Sequence, residues 1–262
     1  MGRKTKLPLL EFAPWSPSKA SKASQCPLAF RFHYVDRLPR GRSSEAALVG
    51  TVVHHAQELV LQGAKVEDAI STAVANSRDP LTSVETEKVG SYVAQIEDFG
   101  KRIQEFNRKH GIKKLLLEQE WAIDDKFKPV SYKSKKAMMR GIVDLAILTD
   151  AGALVIIDHK SGKKKSVREY GAQLDIYKVM GLAHVPEAKS IQCAIHFLVD
   201  GDVVWEAPNK PSRIRELLQP WLIRYLSGCH DGLEGFEPKV SYLCNWCDFQ
   251  SHCPEGGKSK RT

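Results

Sequence analysis

Through the first 110 residues, apolar positions recur at helical spacing. Val49, Val52, Val53, Ala56, Leu59 and Val60 predict a helix over residues 49–62. Val66, Ala69, Ile70, Ala73 and Val74 predict a second over 66–77, and Val89, Val93, Ile96, Ile103 and Phe106 a longer one over 84–110. A short helix from Ser18 towards Cys26-Pro27 precedes them. The pattern then changes to that of strands. KLLLEQEWAI (114–123), MMRGIVDLAIL (138–148) and ALVIIDHK (153–160) read as strands, the last two joined by a turn at Asp150-Ala-Gly152. Residues 169–183 return to helix, 191–198 and 203–206 to strand, and 211–226 to helix with a kink or break at Pro220.

This order predicts one α/β domain: a central mixed sheet flanked by helices, with a helical N-terminal half. The domain is expected over residues 18–255, with its helical part about 45–110 and its core about 112–206. Residues 1–17, rich in Ser, Lys and Pro, read as a flexible basic tail, and 256–262 as a second one. Hydrophobic residues make up 42% and charged residues 27%, which argues for a packed core rather than disorder. No apolar run approaches the roughly 18 residues that span a bilayer. The start MGRKTKLPLLEF lacks the apolar segment of a secretion signal, so a cytoplasmic location is expected. Gly257-Lys258-Ser259 lacks the first glycine of a phosphate-binding loop, which excludes an ATP-driven motor from this chain.

Lys plus Arg number 39 against 31 Asp plus Glu, a formal charge of +8 that suggests an anionic partner. The excess gathers in two places. One holds Lys133, Lys135, Lys136 and Arg140; the other holds Lys160, Lys163, Lys164, Lys165 and Arg168. Both flank a set of acidic residues. Asp158 and Lys160 lie two apart on one strand and project to one face, while His159 points away. Asp144, on the preceding strand, reaches the same place. Carboxylates at the ends of apolar strands need compensation, and hard oxygen ligands suit Mg²⁺ or Mn²⁺. Lys160 could then steady the attacking hydroxide or the transition state at a phosphodiester. His54 opens a predicted helix with Glu58 at i+4, and Gln173 and Tyr177 sit one helical turn apart.

Six cysteines complete the chemistry: Cys26, Cys193, Cys229, Cys244, Cys247 and Cys253. The last three form C-x₂-C-x₅-C, and Cys26 is the best fourth ligand. Such a set could hold an iron–sulfur cluster, or zinc on four sulfurs or on three with His252, or remain free thiols. Cys193 reads as a core thiol.

The order GxxxH, Glu, GIVD, DxK, QxxxY resembles the RecB-like branch of the PD-(D/E)XK nucleases over roughly residues 18–255. The resemblance implies a restriction-endonuclease-like core. It makes His54, Asp144, Asp158 and the backbone carbonyl of His159 metal ligands, and Lys160 the catalytic lysine. Gln173 and Tyr177 would help build the site and position DNA, with Lys163, Lys164 and Lys165 at its rim. A glutamate is expected on the strand before GIVD. Glu118 and Glu120 both qualify, and Glu118 is preferred because EQEWAID looks like the family's strand. The late C-x₂-C-x₅-C with one early cysteine resembles the iron–sulfur members, the AddB-type recombination and CRISPR-adaptation nucleases. In those, a 4Fe–4S cluster staples the two ends of the domain.

The resemblance implies a metal-dependent deoxyribonuclease, an exonuclease on ends or single strands. It would serve recombination, repair, phage DNA processing or CRISPR adaptation, with a separate helicase or recombination protein as partner. The rival reading is a non-catalytic DNA-binding or adaptor subunit that keeps the fold.

Overall fold

The computed structural model describes residues 8–41 and 44–256. α1 (Pro17–Gln25) starts at Ser16, whose hydroxyl accepts the Lys19 N–H, with Pro17 preset for the first turn. α2 (Pro27–Phe30) runs into a π turn over Arg31–Val35. The helical half follows: α3 (Glu45–Leu61), α4 (Val66–Ala75), α5 (Ser83–Gly90) and α6 (Val93–His110). Then come β1 (Ile112–Ile123), β2 (Met139–Thr149) and β3 (Ala153–Lys160). α7 (Gly171–His184) leads to β4 (Ser190–Phe197) and β5 (Asp202–Trp205). α8 (Pro211–Arg213) and α9 (Gln219–Asp231) close the regular structure.

The five strands lie in the order β1-β2-β3-β4-β5. β3 and β4 are parallel and the other neighbours antiparallel, so the sheet is mixed as expected. The parallel step needs a crossover, and α7 supplies it. One face packs on α7, α1 and α9 through Val143, Ala146, Ile156, Leu174, Met180 and Leu222. The other packs on α6 through Leu145, Ile147, Val155, Ile157, Phe99 and Ile103. α3, α4, α5 and the start of α6 share a separate apolar cluster around Val53, Ala69, Val89 and Ile96.

Three expectations are corrected. The helix read over 84–110 is two, α5 and α6. Gly90 is a weak helix former, and the Ser91 hydroxyl donates to the Lys88 carbonyl, so the chain turns there. Pro220 does not break its helix. A π turn over Ile214–Leu218, in which the Gln219 N–H reaches the Ile214 carbonyl, widens the coil just ahead of the proline ring. Residues 8–17 are not a flexible tail: Leu9 is 1% and Trp15 0% exposed, and the Trp15 indole N–H donates to the Leu9 carbonyl at 2.7 Å. Trp15 also bonds Met138 and Arg140 through its backbone, which adds a short strand-like edge beside β2. The tail expected over residues 1–7 lies outside the described residues, as does all but the first residue of the 256–262 tail.

Candidate active site

The β2–β3 ladder ends at Leu145↔Ile157. Beyond that point the Asp144 carboxylate takes over the role of a ladder acceptor, and its Oδ2 accepts the His159 N–H at 2.7 Å. Asp158, one residue past the ladder, turns towards α7. Its Oδ1 accepts from Gln173 Nε2 at 2.8 Å, and its Oδ2 lies 2.6 Å from the Lys160 ammonium. Gln173 also donates to the Tyr177 oxygen at 2.9 Å, and the Tyr177 hydroxyl donates to the Ile142 carbonyl at 3.0 Å. Thus Gln173 and Tyr177, one turn apart on α7, tie Asp158 to β2.

Two glycines permit this approach. A Cβ at Gly141 would lie 3.0 Å from the Met180 methyl and 3.3 Å from the Tyr177 ring, so a side chain there would crowd both. A Cβ at Gly50 would lie 2.6 Å from the Ser161 hydroxyl. Its absence lets α3 close on the end of β3 and sets His54 Nδ1 3.7 Å from Asp144 Oδ2.

Glu118 joins from β1 by a backbone device. Leu116 packs on the α7 side of the sheet, yet so do Trp121 and Ile123. The alternation therefore changes parity within β1, where Glu118 has φ +44°. β2 changes parity in the same place: Ala146 and Leu148 face α7, and so do Val143 and Met139. The register is kept across the change, Leu117↔Leu145 and Gln119↔Val143, so Glu118 and Asp144 occupy it together. Glu118 is half-buried and Glu120 exposed.

The electrostatics follow from crowding. Burial, only partly offset by the His159 N–H and the Lys160 charge, raises the Asp144 carboxyl to about 6. Burial and the Asp144 charge raise Asp158 to about 6 as well. Glu118 rises to about 7 through burial and the charges of Asp144, Glu58 and Asp158. Burial lowers His54 to about 4, so its imidazole is neutral near pH 7. Glu58 thus belongs to the acidic group, although its own bonds go to His55 (3.2 Å) and Gln62 (2.9 Å). The ring of His159 points away from Asp158 and Lys160 but meets the His54 ring edge-on, with centres 5.7 Å apart. It packs edge-on against Phe99 and lies 2.9 Å, Nδ1 to Nδ1, from His196 on β4.

Three carboxyls forced above their ordinary range beside a neutral imidazole form a donor set that a hard divalent cation suits. Among the described residues no three His, Cys, Asp or Glu side chains are drawn tightly enough together to form a ready cage. Internal partners hold the inner oxygens instead: the His159 N–H on Asp144 and the Lys160 ammonium on Asp158.

A second group lies at the joined ends of the chain. Cys26, Cys244, Cys247 and Cys253 all line one cavity of about 200 Å³. The Lys239 N–H donates to Cys26 Sγ at 3.5 Å and the Ser241 N–H to Cys244 Sγ at 3.4 Å. No disulfide joins any of the six cysteines; Cys193 and Cys229 are buried away from this cavity. Phe30 is in the core and Phe32 packs on Phe249 beside the cysteine turns, so those aromatics are packing residues. Trp246, by contrast, is 73% exposed.

Of the lysines after β3, Lys164 pairs with Asp202 at 2.9 Å and Lys165 with Glu169 at 3.5 Å. Sequence reasoning missed Glu58 as a neighbour of Glu118, Tyr170 under the Lys160 ammonium (5.4 Å to the ring centre), and the His159–His196 pair. Only Glu58 had a signal, its i+4 spacing from His54.

The family model of the PD-(D/E)XK nuclease superfamily matches residues 14–254. No curated protein matches the chain. Among solved structures, a candidate exonuclease from Eubacterium rectale is similar at 14% identity and TM-score 0.49, over 100% of this chain and 96% of the other. The protein crystallised as SSO0001 is similar at 16% identity and TM-score 0.37, over 98% of each chain.

Proposed function

The chain belongs to the PD-(D/E)XK nuclease superfamily, and from that premise we propose that it is a Mg²⁺- or Mn²⁺-dependent deoxyribonuclease whose centre is Asp144, Asp158 and Lys160. The observation that carries this reading is the convergence of those three groups, with both aspartates driven up to about 6. His54, Asp144, Asp158 and the His159 carbonyl would hold the cation, and Glu118 would complete the acidic set. Bound there, the cation would polarise the scissile phosphodiester and neutralise developing charge. Lys160 lies within reach of the same place. It can steady an attacking hydroxide by its charge and donate to the phosphoryl oxygens as they gain charge. Gln173 and Tyr177 hold Asp158 in its orientation, so their part is positioning.

The finer reading follows the resemblance: a RecB-like exonuclease on DNA ends or single strands, cytoplasmic, in recombination, repair, phage DNA processing or CRISPR adaptation, with a separate helicase or recombination protein. Among the described residues no helix is long and apolar enough to cross a membrane. We also assign Cys26, Cys244, Cys247 and Cys253 to a 4Fe–4S cluster. Their sharing of one cavity, with backbone N–H groups aimed at two of the sulfurs, supports that reading.

The test is Lys160→Ala beside the wild type on end-labelled single- and double-stranded DNA with Mg²⁺ or Mn²⁺. The wild type is expected to cleave, and the variant to lose activity by about a hundredfold or more. Equal product from both, or none from either, would overturn the assignment.

A further inference from the structure

The two basic groups of the chain differ in a way that their sequences conceal. After β3, Lys164 and Lys165 pair with Asp202 and Glu169, which leaves Lys163 and Arg168 exposed there without an ion pair among the described residues. Residues 124–138, between β1 and β2, carry Lys126, Lys128, Lys133, Lys135 and Lys136, all exposed. Among the described residues none of these five ammonium groups forms an ion pair. The loop holds two acidic residues. Asp125 is exposed, and Asp124 spends its Oδ1 on the N–H groups of Lys126 (2.9 Å) and Lys128 (2.8 Å). Five lysines against two aspartates leave the loop with an excess of positive charge.

The loop is also built. It exceeds the roughly 12 residues above which a connection without regular structure is uncommon and usually functional. It is pinned at both sides: Val130 N–H to the Ala122 carbonyl at 3.0 Å and Met138 N–H to the Ile123 carbonyl at 2.8 Å. Tight turns join Asp124 to Phe127, Ser131 to Ser134 and Ser134 to Ala137, and Phe127 packs on the core. At its base the Arg140 guanidinium lies 5.0 Å from the Tyr132 ring centre. Lysines on such a frame are presented rather than trailing, which lowers the ordering cost of binding.

From Asp144 to Met139 is five residues along β2, about 17 Å at the rise of a strand. Five phosphates of one strand of B-form DNA span about the same length. We propose that the loop at 124–138 is a second DNA-binding site. It grips the phosphate backbone several nucleotides from the scissile bond and so favours substrates long enough to reach it. The identity of the anion rests on the nuclease reading; the charge and the frame do not.

The test compares three full-length proteins: wild type, K133Q/K135Q/K136Q and K65Q/K109Q, the last at exposed lysines of the helical half. Steady-state cleavage is measured on a labelled duplex 20-mer and on a trinucleotide, and binding of the 20-mer by fluorescence anisotropy in EDTA across a salt series. The loop variant should raise KM for the 20-mer roughly tenfold or more, with kcat unchanged and the trinucleotide unaffected. Its salt slope should fall by about 0.9 for each lysine that met a phosphate. K65Q/K109Q should change both far less. An unchanged KM and slope in the loop variant, or a larger loss in K65Q/K109Q, overturns the proposal. Should the wild type cleave nothing, the nuclease reading fails, while the anisotropy series still decides the loop.

Discussion

At the acidic centre, carboxylates and a lysine project from the middle of a buried sheet; at the cysteine-lined cavity, four sulfurs project from turns near the two ends of the chain. Asp144 and Asp158 sit on strands whose apolar neighbours are fully buried, and each already accepts a hydrogen bond. Cys244 lies in the single-turn helix Tyr242–Trp246, Cys247 and Cys253 follow that turn and the next, Gln250–His252, and Cys26 joins α1 to α2; Phe249 is the buried anchor among the C-terminal turns. One site is therefore shaped by the core around it. The other has little buried packing to shape it, and on the proposed reading its cluster would do so. Losing a ligand should alter chemistry at the first and folding at the second.

The largest effect that would break this contrast is expected at Cys26. Its sulfur accepts the Lys239 N–H and so links α2 to the C-terminal segment. Cys26→Ser in anaerobically purified protein should abolish the visible absorbance of a cluster. It should also lower stability by several kcal/mol, on the order of 10 °C in Tm for a chain of this size. Calorimetry with metal and sulfide analysis measures both. A wild type that is colourless and carries zinc would replace the cluster by a zinc site. An unchanged Tm would reduce the cysteines to ordinary thiols.

A smaller effect, of opposite sign, is expected at Asp158. Its carboxyl, ordinarily near 3.9 when unfolded, titrates at about 6 when folded. Between those values the native state holds the extra proton, so this group's stabilising contribution is full below about pH 4. It is lost as pH rises through about 6. Asp158→Asn should therefore raise the stability of the EDTA-treated protein at pH 7.5 by about 1–3 kcal/mol and leave it nearly unchanged at pH 4. Mn²⁺ should raise the wild-type Tm more at pH 7.5 than at pH 5, and should do so weakly in the variant. The histidines act the other way: burial holds His54 at about 4 and His196 at about 3, so their contribution is lost as pH falls below about 6.5. The difference between wild type and variant isolates the aspartate from them. Equal melting curves at both pH values would mean that Asp158 ionises without strain.

Much of this was legible in the chain. Helical and strand periods marked α3, α4, β1, β2, β3 and α7 within a few residues, because each buries one face or two against an apolar cluster. Asp158, Lys160, Gln173 and Tyr177 meet where strand and helix periodicity puts them, and Asp144 joins them at the parity change in β2. What periodicity misses is where it is interrupted. The parity change at Glu118 needs a positive φ on a non-glycine residue, which tertiary packing imposes and no local pattern announces. Trp15 looked like part of a tail because its partners, Leu9, Met138 and Arg140, lie in a polar segment and on a distant strand. The pairing of Lys164 and Lys165, and the freedom of the loop lysines, depend on Asp202 and Glu169, which a charge count cannot assign.

The finest probe of the acidic centre's independence from folding is Gly50. Alanine is a better helix former than glycine by up to about 1 kcal/mol, so Gly50→Ala should leave α3 as stable or slightly more so. Its methyl, however, would lie 2.6 Å from the Ser161 hydroxyl and 3.0 Å from its Cβ, and one of the two must move by a few tenths of an ångström. α3 carries His54, which stands 3.7 Å from Asp144, so the shift falls on the proposed nitrogen donor. Half-maximal Mn²⁺ for DNA cleavage should rise by roughly tenfold, the scale of a disturbed metal shell, with kcat at saturating Mn²⁺ nearly unchanged. Adding Ser161→Gly removes the colliding atoms and should restore the metal dependence. Rescue with an unmoved Tm would mean that the glycine serves the site and not the helix. A Mn²⁺ dependence equal in wild type and Gly50→Ala would instead mean that His54 lies outside the cation's reach, leaving the carboxylates to hold it alone.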